Sequence, residues 1–483
     1  MSVRKNAIYL AAACASLLAG CAVGPDFKRP EPPAASIYTL EHSQAGAGTE
    51  VGGQIQHVTL GQNPGPEWWK LFKSDALNQT VDRALTGNRT LAAAVLSVSQ
   101  AEELVNARAG KLYPQVNATG GVGRQKLGAQ FLGTFPKPPP FTYFSIGATV
   151  SYSLDYTGGV ARSIEQQRAL VEYQQHQLDA ASLSVTGNTV IQALRMASLR
   201  TQIATVEGLL DRDRENLKLV QEAFDAGSVS RLDVVSAQSQ LASDMTTLPQ
   251  LRQELSVARH ALAVILGNAP SDTSIPEFDL SQIVLPDNIP VSVPSELARR
   301  RPDILAAEAQ LHAATAAVGV ATSNLYPHID LNGTFGQQAV TVGDLFDSSS
   351  SAWSLTSGLV APLFDGGTLR AEKRAAIDAM RANVANYEQT VLEAFGQVAD
   401  SLEALNNGDE ALQAQARAQQ SAQESVDLTR ESYHEGSVGI LQVLDAERLY
   451  QQARLGYVRA QAQRYIDTVQ LFLALGGAGP NGG

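Results

Sequence analysis

Residues 144–155 decide the fold, and they read FSIGATVSYSLD. Apolar side chains occupy every second position from Phe144 to Leu154, and small or polar residues fill the positions between them. This period of two is typical of a β-strand. About ten such residues are enough to cross a bilayer with lipid on one face and water on the other. An ordinary sheet of a soluble protein, with one buried face, is the alternative interpretation.

The strand belongs to a unit that the chain contains twice. Three motifs recur in the same order at offsets of 213, 208 and 209 residues: Leu-Tyr-Pro at 112–114 and 325–327, Gly-Gly at 158–159 and 366–367, and Gly-Ser-Val at 227–229 and 436–438. This period is far longer than the roughly 20–50 residues of a solenoid repeat. It therefore indicates a duplicated domain whose halves pack side by side.

Each copy contains two segments with a strand pattern. We expect strands at about 114–125, 143–155, 327–336 and 352–364. Four strands cannot close a barrel, and an open sheet edge cannot lie in lipid, where every backbone group needs a partner. Small bacterial barrels have at least eight strands. Several chains must therefore pool their strands: two copies would supply eight and three would supply twelve.

Long helices follow the strands. Between residues 160 and 226, apolar residues such as Leu199, Leu210 and Leu217 recur at alternating steps of three and four, and Asp213 interrupts this seam. A repeat of 3.5 is typical of a coiled coil, and about 65 residues would make a helix of about 100 Å. We expect matching helices at 368–432 and 438–475. Pro249 should bend or break the helix that contains it.

The amino terminus resembles a bacterial lipoprotein signal. Residues 1–20 combine a basic start with a short apolar stretch, and Leu18-Ala19-Gly20 precedes Cys21, the expected site of a covalent lipid. Ala22 in the following position favours the outer membrane over the inner. We divide the remainder into an extended lipid-anchored arm at 21–66, a first repeat at 67–267, a linker at 268–293, a second repeat at 294–476 and a tail at 477–483.

Composition argues against several functions. The formal net charge is −12 and no basic stripe is present, so nucleic acid is not an expected partner. The seven histidines lack ligand spacing, and no HExxH, GxSxG or P-loop motif occurs. We therefore expect neither an enzyme nor a bound metal or cofactor. A structural coiled-coil lipoprotein or adhesin without channel activity is the alternative to a channel.

The lipobox, the segment CAVGPDFKRP at 21–30, the motif RRRPDI at 299–304 and the duplication together resemble the TolC family of outer-membrane efflux proteins, in its NodT-type lipoprotein branch. The resemblance implies a mainly helical chain with transmembrane strands. Three copies would form a twelve-stranded β-barrel continued by a twelve-helix α-barrel of coiled-coil helices. It also implies a passive exit duct docked to a periplasmic membrane-fusion adaptor and an inner-membrane transporter of the resistance-nodulation-division type.

The same resemblance assigns roles to individual residues. Two helix turns would contact the adaptor, although turning the chain alone also explains their glycines: Gly227, Ser228, Val229, Gly436, Ser437 and Val438. Asp445 would line the periplasmic entrance, or it is simply a solvated carboxylate. Gln442 replaces a second family aspartate, which weakens the expected acidic ring.

Two leucines and a partial tether complete the assignment. Leu441 and Leu444 would narrow the entrance, although helix burial explains them equally well. Asp233 and Tyr433 match a closed-state tether of the family, whereas Val438 stands where the tethering arginine would be. Arg301-Pro302-Asp303 is expected to start a helix, with a structural role.

Overall fold

The computed structural model describes residues 22–31, 37–38, 56–126 and 139–477. The expected signal peptide, Cys21 and residues 478–483 of the tail lie outside the described residues. The chain divides into two compact units. The strand unit comprises residues 1–30, 98–174 and 307–387, and the helical unit comprises residues 31–97, 175–306 and 388–483.

Four strands of the strand unit form one antiparallel sheet in the order β2-β3-β5-β6: β2 is Gln115–Gln125, β3 is Phe141–Leu154, β5 is His328–Ala339 and β6 is Ser351–Val360. In the helical unit, β1 at His57–Leu60 pairs in parallel with β4 at Asn288–Val291. Strand β6 ends earlier than the expected residue 364, because Pro362 has no N–H to donate to a neighbouring strand.

Nine α-helices lie in the described part of the chain: α1 Asp75–Gly87, α2 Arg89–Ala109, α3 Gly159–Asp225, α4 Arg231–Met245, α5 Thr247–Ile265, α6 Pro294–Arg300, α7 Pro302–Ser323, α8 Thr368–His434 and α9 Ile440–Ala474. Helices α3 and α8 contain 67 residues each, which corresponds to about 100 Å. The long helices expected from the seam are therefore present in both copies.

The two copies differ where the chain returns from the long helix. In the first copy α4 ends at Met245 and α5 begins at Thr247, so that Pro249 lies in the first turn of α5. A proline is tolerated there because the first N–H groups of a helix have no intrahelical partner, but it cannot continue a preceding helix. Helix α9 contains no proline and runs unbroken for 35 residues. The break expected at Pro249 is confirmed.

Aromatic side chains form the centre of the helical unit. Trp68, Phe72 and Phe472 are fully buried, and the ring centroid of Phe472 lies 5.5 Å from that of Trp68 and 6.4 Å from that of Phe72. Burying a large aromatic side chain stabilises a fold by several kcal/mol through the apolar area removed from water. This cluster joins the start of the first repeat to the end of the second.

Arg301 performs the structural role expected of its motif. Helix α7 begins at Pro302, as predicted, and the nearly buried Arg301 guanidinium precedes it. Its Nε donates to Asp303 at 2.9 Å, and Nη1 donates to the carbonyl of Ala474 at 2.8 Å. Ala474 is the last residue of α9, so the arginine satisfies a carbonyl that the helix end leaves without an intrahelical partner.

The described start of the arm packs on the strand unit. The Val23 N–H donates to the carbonyl of Thr157 at 3.0 Å, and Nη2 of the buried Arg162 contacts Asp26 at 2.6 Å. The Phe27 ring stacks on His312 with 4.4 Å between centroids. The arm that we expected to lead away from the anchor thus also packs against the strand unit over residues 23–27.

Helix α7 is long and apolar enough to cross a membrane by length and composition alone, with a mean hydropathy of 1.3 in its most apolar window. Half of that window is buried within the protein. Within the strand unit, Glu308 forms an ion pair with Arg29 at 2.7 Å, and Nε2 of His312 lies 3.1 Å from Glu165. These contacts are typical of a core helix.

Candidate functional site at the helix turns

The two helix turns expected to contact an adaptor have the same backbone structure. Gly227 and Gly436 adopt left-handed φ angles of 79° and 74°. The N–H groups of Ser228 and Ser437 donate to carbonyls five residues earlier, at 2.8 and 2.9 Å. This is a Schellman motif, in which glycine carries no steric penalty for positive φ. A Cβ at either glycine would meet no other atom within 4 Å, so the φ angle, rather than close packing inside the chain, requires glycine here.

Asp233 serves as a helix cap. Its carboxylate accepts hydrogen bonds from the backbone N–H and the hydroxyl of Ser230, at 2.8 and 2.7 Å, and the Ser230 hydroxyl accepts from the Asp233 N–H in a capping box. The bond from the Ser230 hydroxyl is the main cause that lowers the pKa of Asp233. No hydrogen bond joins Asp233 to Tyr433 in the described chain, so the proposed tether has no counterpart within one copy.

Apolar residues beside the turns form one cluster, which we call the tip cluster. It joins α3, α4 and α9, and its residues are Val220, Val234, Ala237, Ile440, Val443 and Leu444, with Leu217, Phe224, Val229 and Tyr433 packed against them. Leu444 is only 7% exposed, whereas Leu441 is 40% exposed. Leu444 is thus a packing residue inside the chain. Helix burial, the alternative interpretation of the two leucines, accounts for Leu444, because α3 and α4 cover its side chain.

Asp445 lies on the exposed face of α9 that also carries Leu441 and Gln442. Its Oδ1 accepts a hydrogen bond from Nη2 of Arg448 at 2.6 Å. Both side chains are substantially exposed, so the pair contributes little to stability, but it places a positive charge beside the carboxylate. Sequence reasoning missed Arg448, although a spacing of three residues on a helix is a sufficient signal for such a pair.

Three acidic side chains, Asp213, Asp244 and Glu447, lie farther along the helices from the glycine turns than the tip cluster does. Asp213 is 4% exposed and lies close to the carboxylate of Asp244 of α4, which acts on its charge. On α9, Glu447 accepts hydrogen bonds from Arg430 of α8 and from Asn216 of α3, the latter at 2.6 Å. Burial, followed by the charges of Asp244 and Glu447, raises the pKa of Asp213 to about 7, and Arg212 opposes this shift. The residue that interrupted the seam is therefore part of a network between helices.

Asp213→Asn is expected to make stability less sensitive to pH. Because the folded-state pKa is raised, the folded chain binds more protons than the unfolded chain between about pH 4 and 7, and wild-type stability falls as pH rises through that window. The asparagine variant lacks this loss and should gain roughly 1–3 kcal/mol relative to wild type above pH 7. Thermal unfolding of the purified protein between pH 5 and 8 measures the difference.

Asp211→Asn is the matched control for this prediction. Asp211 lies on the same helix, and its exposed carboxylate pairs with Arg214. Its replacement should leave the pH profile of wild type unchanged. If Asp213→Asn and Asp211→Asn gave the same profile, the buried carboxyl group would not be the source of the pH dependence.

Metal ligands are not grouped at this site: within the described ranges, no cluster of three or more His, Cys, Asp or Glu residues could hold a metal ion. What the site offers is two glycine turns, an apolar cluster that fixes their positions, and an exposed polar face on α9.

Comparisons with known proteins agree with this description. The model of the family described as outer membrane efflux protein matches residues 80–268 and 293–477. The pyoverdine export outer membrane protein OpmQ of Pseudomonas aeruginosa is 32% identical over 418 residues, which cover 85% of this chain and 87% of OpmQ. The outer membrane protein OprJ of the same species is 30% identical over 489 residues, covering 99% of this chain and 98% of OprJ.

Solved structures show the same similarity. The outer-membrane channel OprN superposes with a TM-score of 0.83 at 29% identity, covering 95% of this chain and 99% of that one. CusC superposes with a TM-score of 0.80 at 25% identity, covering 95% and 100%. The chain therefore belongs to the outer membrane efflux protein family, as its resemblance to TolC proteins implied. It is an outer-membrane component of an efflux system.

Proposed function

We propose that three copies of this chain close a twelve-stranded β-barrel in the outer membrane and a twelve-helix α-barrel in the periplasm. The four-stranded sheet carries this proposal. Its edge strands β2 and β6 each have one neighbour, and an unpaired edge is not tolerated in lipid. One face of the sheet exposes large apolar side chains, with Phe335, Trp353, Leu355 and Leu359 each at least 65% exposed. Lipid on that face and neighbouring copies at both edges satisfy these requirements.

Within such an assembly the chain is a passive exit duct. The two glycine turns form its periplasmic end and contact a membrane-fusion adaptor, and an inner-membrane transporter of the resistance-nodulation-division type delivers the cargo. Leu441, Gln442 and Asp445 face the entrance, while Asp233 and Tyr433 act between copies in its closed state. A lipid on Cys21 adds an anchor beside the segment of the arm that packs on the strand unit.

Reconstitution tests the duct directly. The detergent-purified protein should have the mass of three chains by native mass spectrometry and should produce single-channel conductance in a planar lipid bilayer. A coiled-coil lipoprotein or adhesin gives no conductance. A monomer, or a trimer that never conducts under any applied voltage, would refute the proposal.

Asp445→Ala is expected to lower the preference of the channel for cations. Carboxylates around a narrow entrance attract cations, and Arg448 beside each one limits the effect, so we expect a change on the order of twofold in the cation-to-anion permeability ratio. Reversal potentials in a salt gradient measure this ratio. Arg448→Ala is the matched control and should change the ratio in the opposite direction. Equal ratios in both variants and in wild type would place Asp445 away from the entrance.

A further inference from the structure

One junction inside the strand unit joins the first repeat to the second, and we call it the internal junction. It packs the start of α3 against the end of α7. A Cβ on Gly159 would lie 2.3 Å from Oγ of Ser323, and a Cβ on Gly319 would lie 2.8 Å from Cγ of Arg162. Glu165 contacts His312 at 3.1 Å. Each contact therefore matches a glycine with a larger residue, or a carboxylate with a basic group.

The repeats define which residues correspond to these. Helices α3 and α8 have equal lengths and starts 209 residues apart. Strand pairing agrees: Gln115 pairs with Ser151, and its counterpart His328 pairs with Val360. An offset of 209 thus replaces the 208 suggested by the Gly-Gly pairs. The offset between α2 and α7 is 213. The counterparts are Thr368, Ala371 and Arg374 on α8, and Gly110, Asn106 and Ser99 at the end of the first repeat's α2 region.

The two surfaces that contain these counterparts are exposed in the single chain. Thr368, Ala371 and Arg374 lie on an exposed surface at the start of α8, and Ser99, Glu103 and Asn106 lie on an exposed surface of α2. Strands β6 and β2, which adjoin these helices, are the opposite edges of the sheet. The two counterpart surfaces are therefore separated within one chain, and they can form a junction of the same kind only between two copies.

Differences between the internal junction and its counterpart are reciprocal. Gly159 faces Ser323, whereas Thr368 would face Gly110, so the glycine has moved to the opposite side. Arg162 faces Gly319, whereas Ala371 would face Asn106, and again the small and large residues have exchanged sides. Such exchanges keep the combined volume of a contact nearly constant, which is what close packing requires.

Charge follows the same rule. Glu165 lies on the long helix in the internal junction and faces the basic His312 of α7. The counterpart of Glu165 is Arg374, and the counterpart of His312 is Ser99. Arg374 would therefore face α2 near Ser99, and Glu103 lies one turn farther along the same helix. Glu103 is exposed and accepts a hydrogen bond from Asn106 at 3.3 Å. The acidic and basic partners have exchanged helices, and opposite charges still meet.

We propose that the start of α8 in one copy docks on α2 of the next copy, with Thr368 against Gly110, Ala371 against Asn106 and Arg374 paired with Glu103. The inference rests on the proposed trimer and specifies its subunit contact. It also sets the strand register between copies. Ser151 pairs with Asn332 inside the chain, so Val360 at the end of β6 lies opposite Thr119 of the next copy. The contact is head-to-tail, and its repetition closes a ring when neighbouring copies are related by the threefold rotation of the proposed trimer.

Disulfide trapping tests the contact. The Thr368→Cys and Gly110→Cys double variant should cross-link most of the purified chain into covalent dimers and trimers under mild oxidation. At the corresponding positions of the internal junction, a Cβ added to Gly159 would lie 2.9 Å from Cβ of Ser323, so two cysteines there are close enough for a disulfide. The Asp378→Cys and Gly110→Cys pair is the control, since Asp378 lies about 15 Å farther along α8, and it should not cross-link. A native trimer in which the first pair fails to cross-link, or cross-links no better than the control, overturns the contact. Absence of any trimer overturns the proposed function instead.

Charge reversal gives an independent test without cysteines. Arg374→Glu and Glu103→Arg should each lower the melting temperature of the trimer by roughly 2–4 °C, and the double variant should recover most of the loss. Lys218→Glu, at an exposed position in the helical unit, should leave it unchanged. Additive losses in the double variant would show that the two charges do not meet.

Discussion

Arg301→Leu is expected to lower the free energy of unfolding by about 3–5 kcal/mol, because all the hydrogen bonds that the buried guanidinium donates are lost. The guanidinium is 8% exposed and binds Asp303, Gln397 and the carbonyls of Ala474 and Ala394. Leucine fills part of the space but leaves the Ala474 carbonyl, at the end of α9, without its donor, and an unsatisfied buried polar group costs about 1–3 kcal/mol. Circular dichroism during thermal unfolding of the purified protein measures the loss.

Arg300→Leu provides the matched control. Arg300 precedes Arg301 in the same motif but is exposed at the end of α6, so its replacement should change stability by less than about 0.5 kcal/mol. Arg301→Lys should fall between the two, because an ammonium group cannot reproduce the planar fork of the guanidinium. Equal losses for Arg300→Leu and Arg301→Leu would show that net charge, rather than the hydrogen bonds, is responsible.

Leu444→Ala is expected to destabilise the helix turns by about 2–4 kcal/mol, because it opens a cavity in the tip cluster. Leu444 packs with Val220 of α3, Val234 of α4 and Val443 of its own helix. Loss of this side chain should therefore loosen the positions of both glycine turns. Hydrogen exchange at the tip, together with thermal unfolding, measures the local and the global effect.

Leu441→Ala distinguishes an effect on stability from an effect on conductance. Leu441 lies one turn earlier on α9 and is 40% exposed, so its truncation should alter stability by less than about 1 kcal/mol. It should nevertheless raise single-channel conductance if Leu441 faces the proposed entrance. A Leu444→Ala variant that is as stable as wild type but has altered conductance would instead place Leu444 at the entrance. That result would contradict the packing of Leu444 in the tip cluster.

Several features of this fold follow from short stretches of sequence. The strict alternation of residues 144–155 predicted a strand that the structure places at Phe141–Leu154. The step of three and four predicted the 67-residue helices. Gly227, Gly436 and Pro249 marked two turns and one helix break that the structure contains. In each case the cause is local, since side-chain period, positive φ and a missing N–H act within a few residues.

The candidate site was predictable only in part. The turns and the position of Asp445 followed from motifs, whereas the burial of Leu444 depends on α3 and α4 lying against one side of α9. The acidic group of Asp213, Asp244 and Glu447 joins two consecutive helices, α3 and α4, to α9 near the other end of the chain. A helical period shows which residues share a face, but not which other helix will cover that face.

By itself, the sequence determined the duplication, the kinds of element and the turns, because these depend on interactions between near neighbours along the chain. Tertiary structure alone decided that Arg301 binds the end of α9, that Asp26 binds Arg162 and that β3 pairs with β5. These contacts join residues more than a hundred positions apart. They form because a folded chain must satisfy buried polar groups and strand edges with whichever partners folding brings within reach.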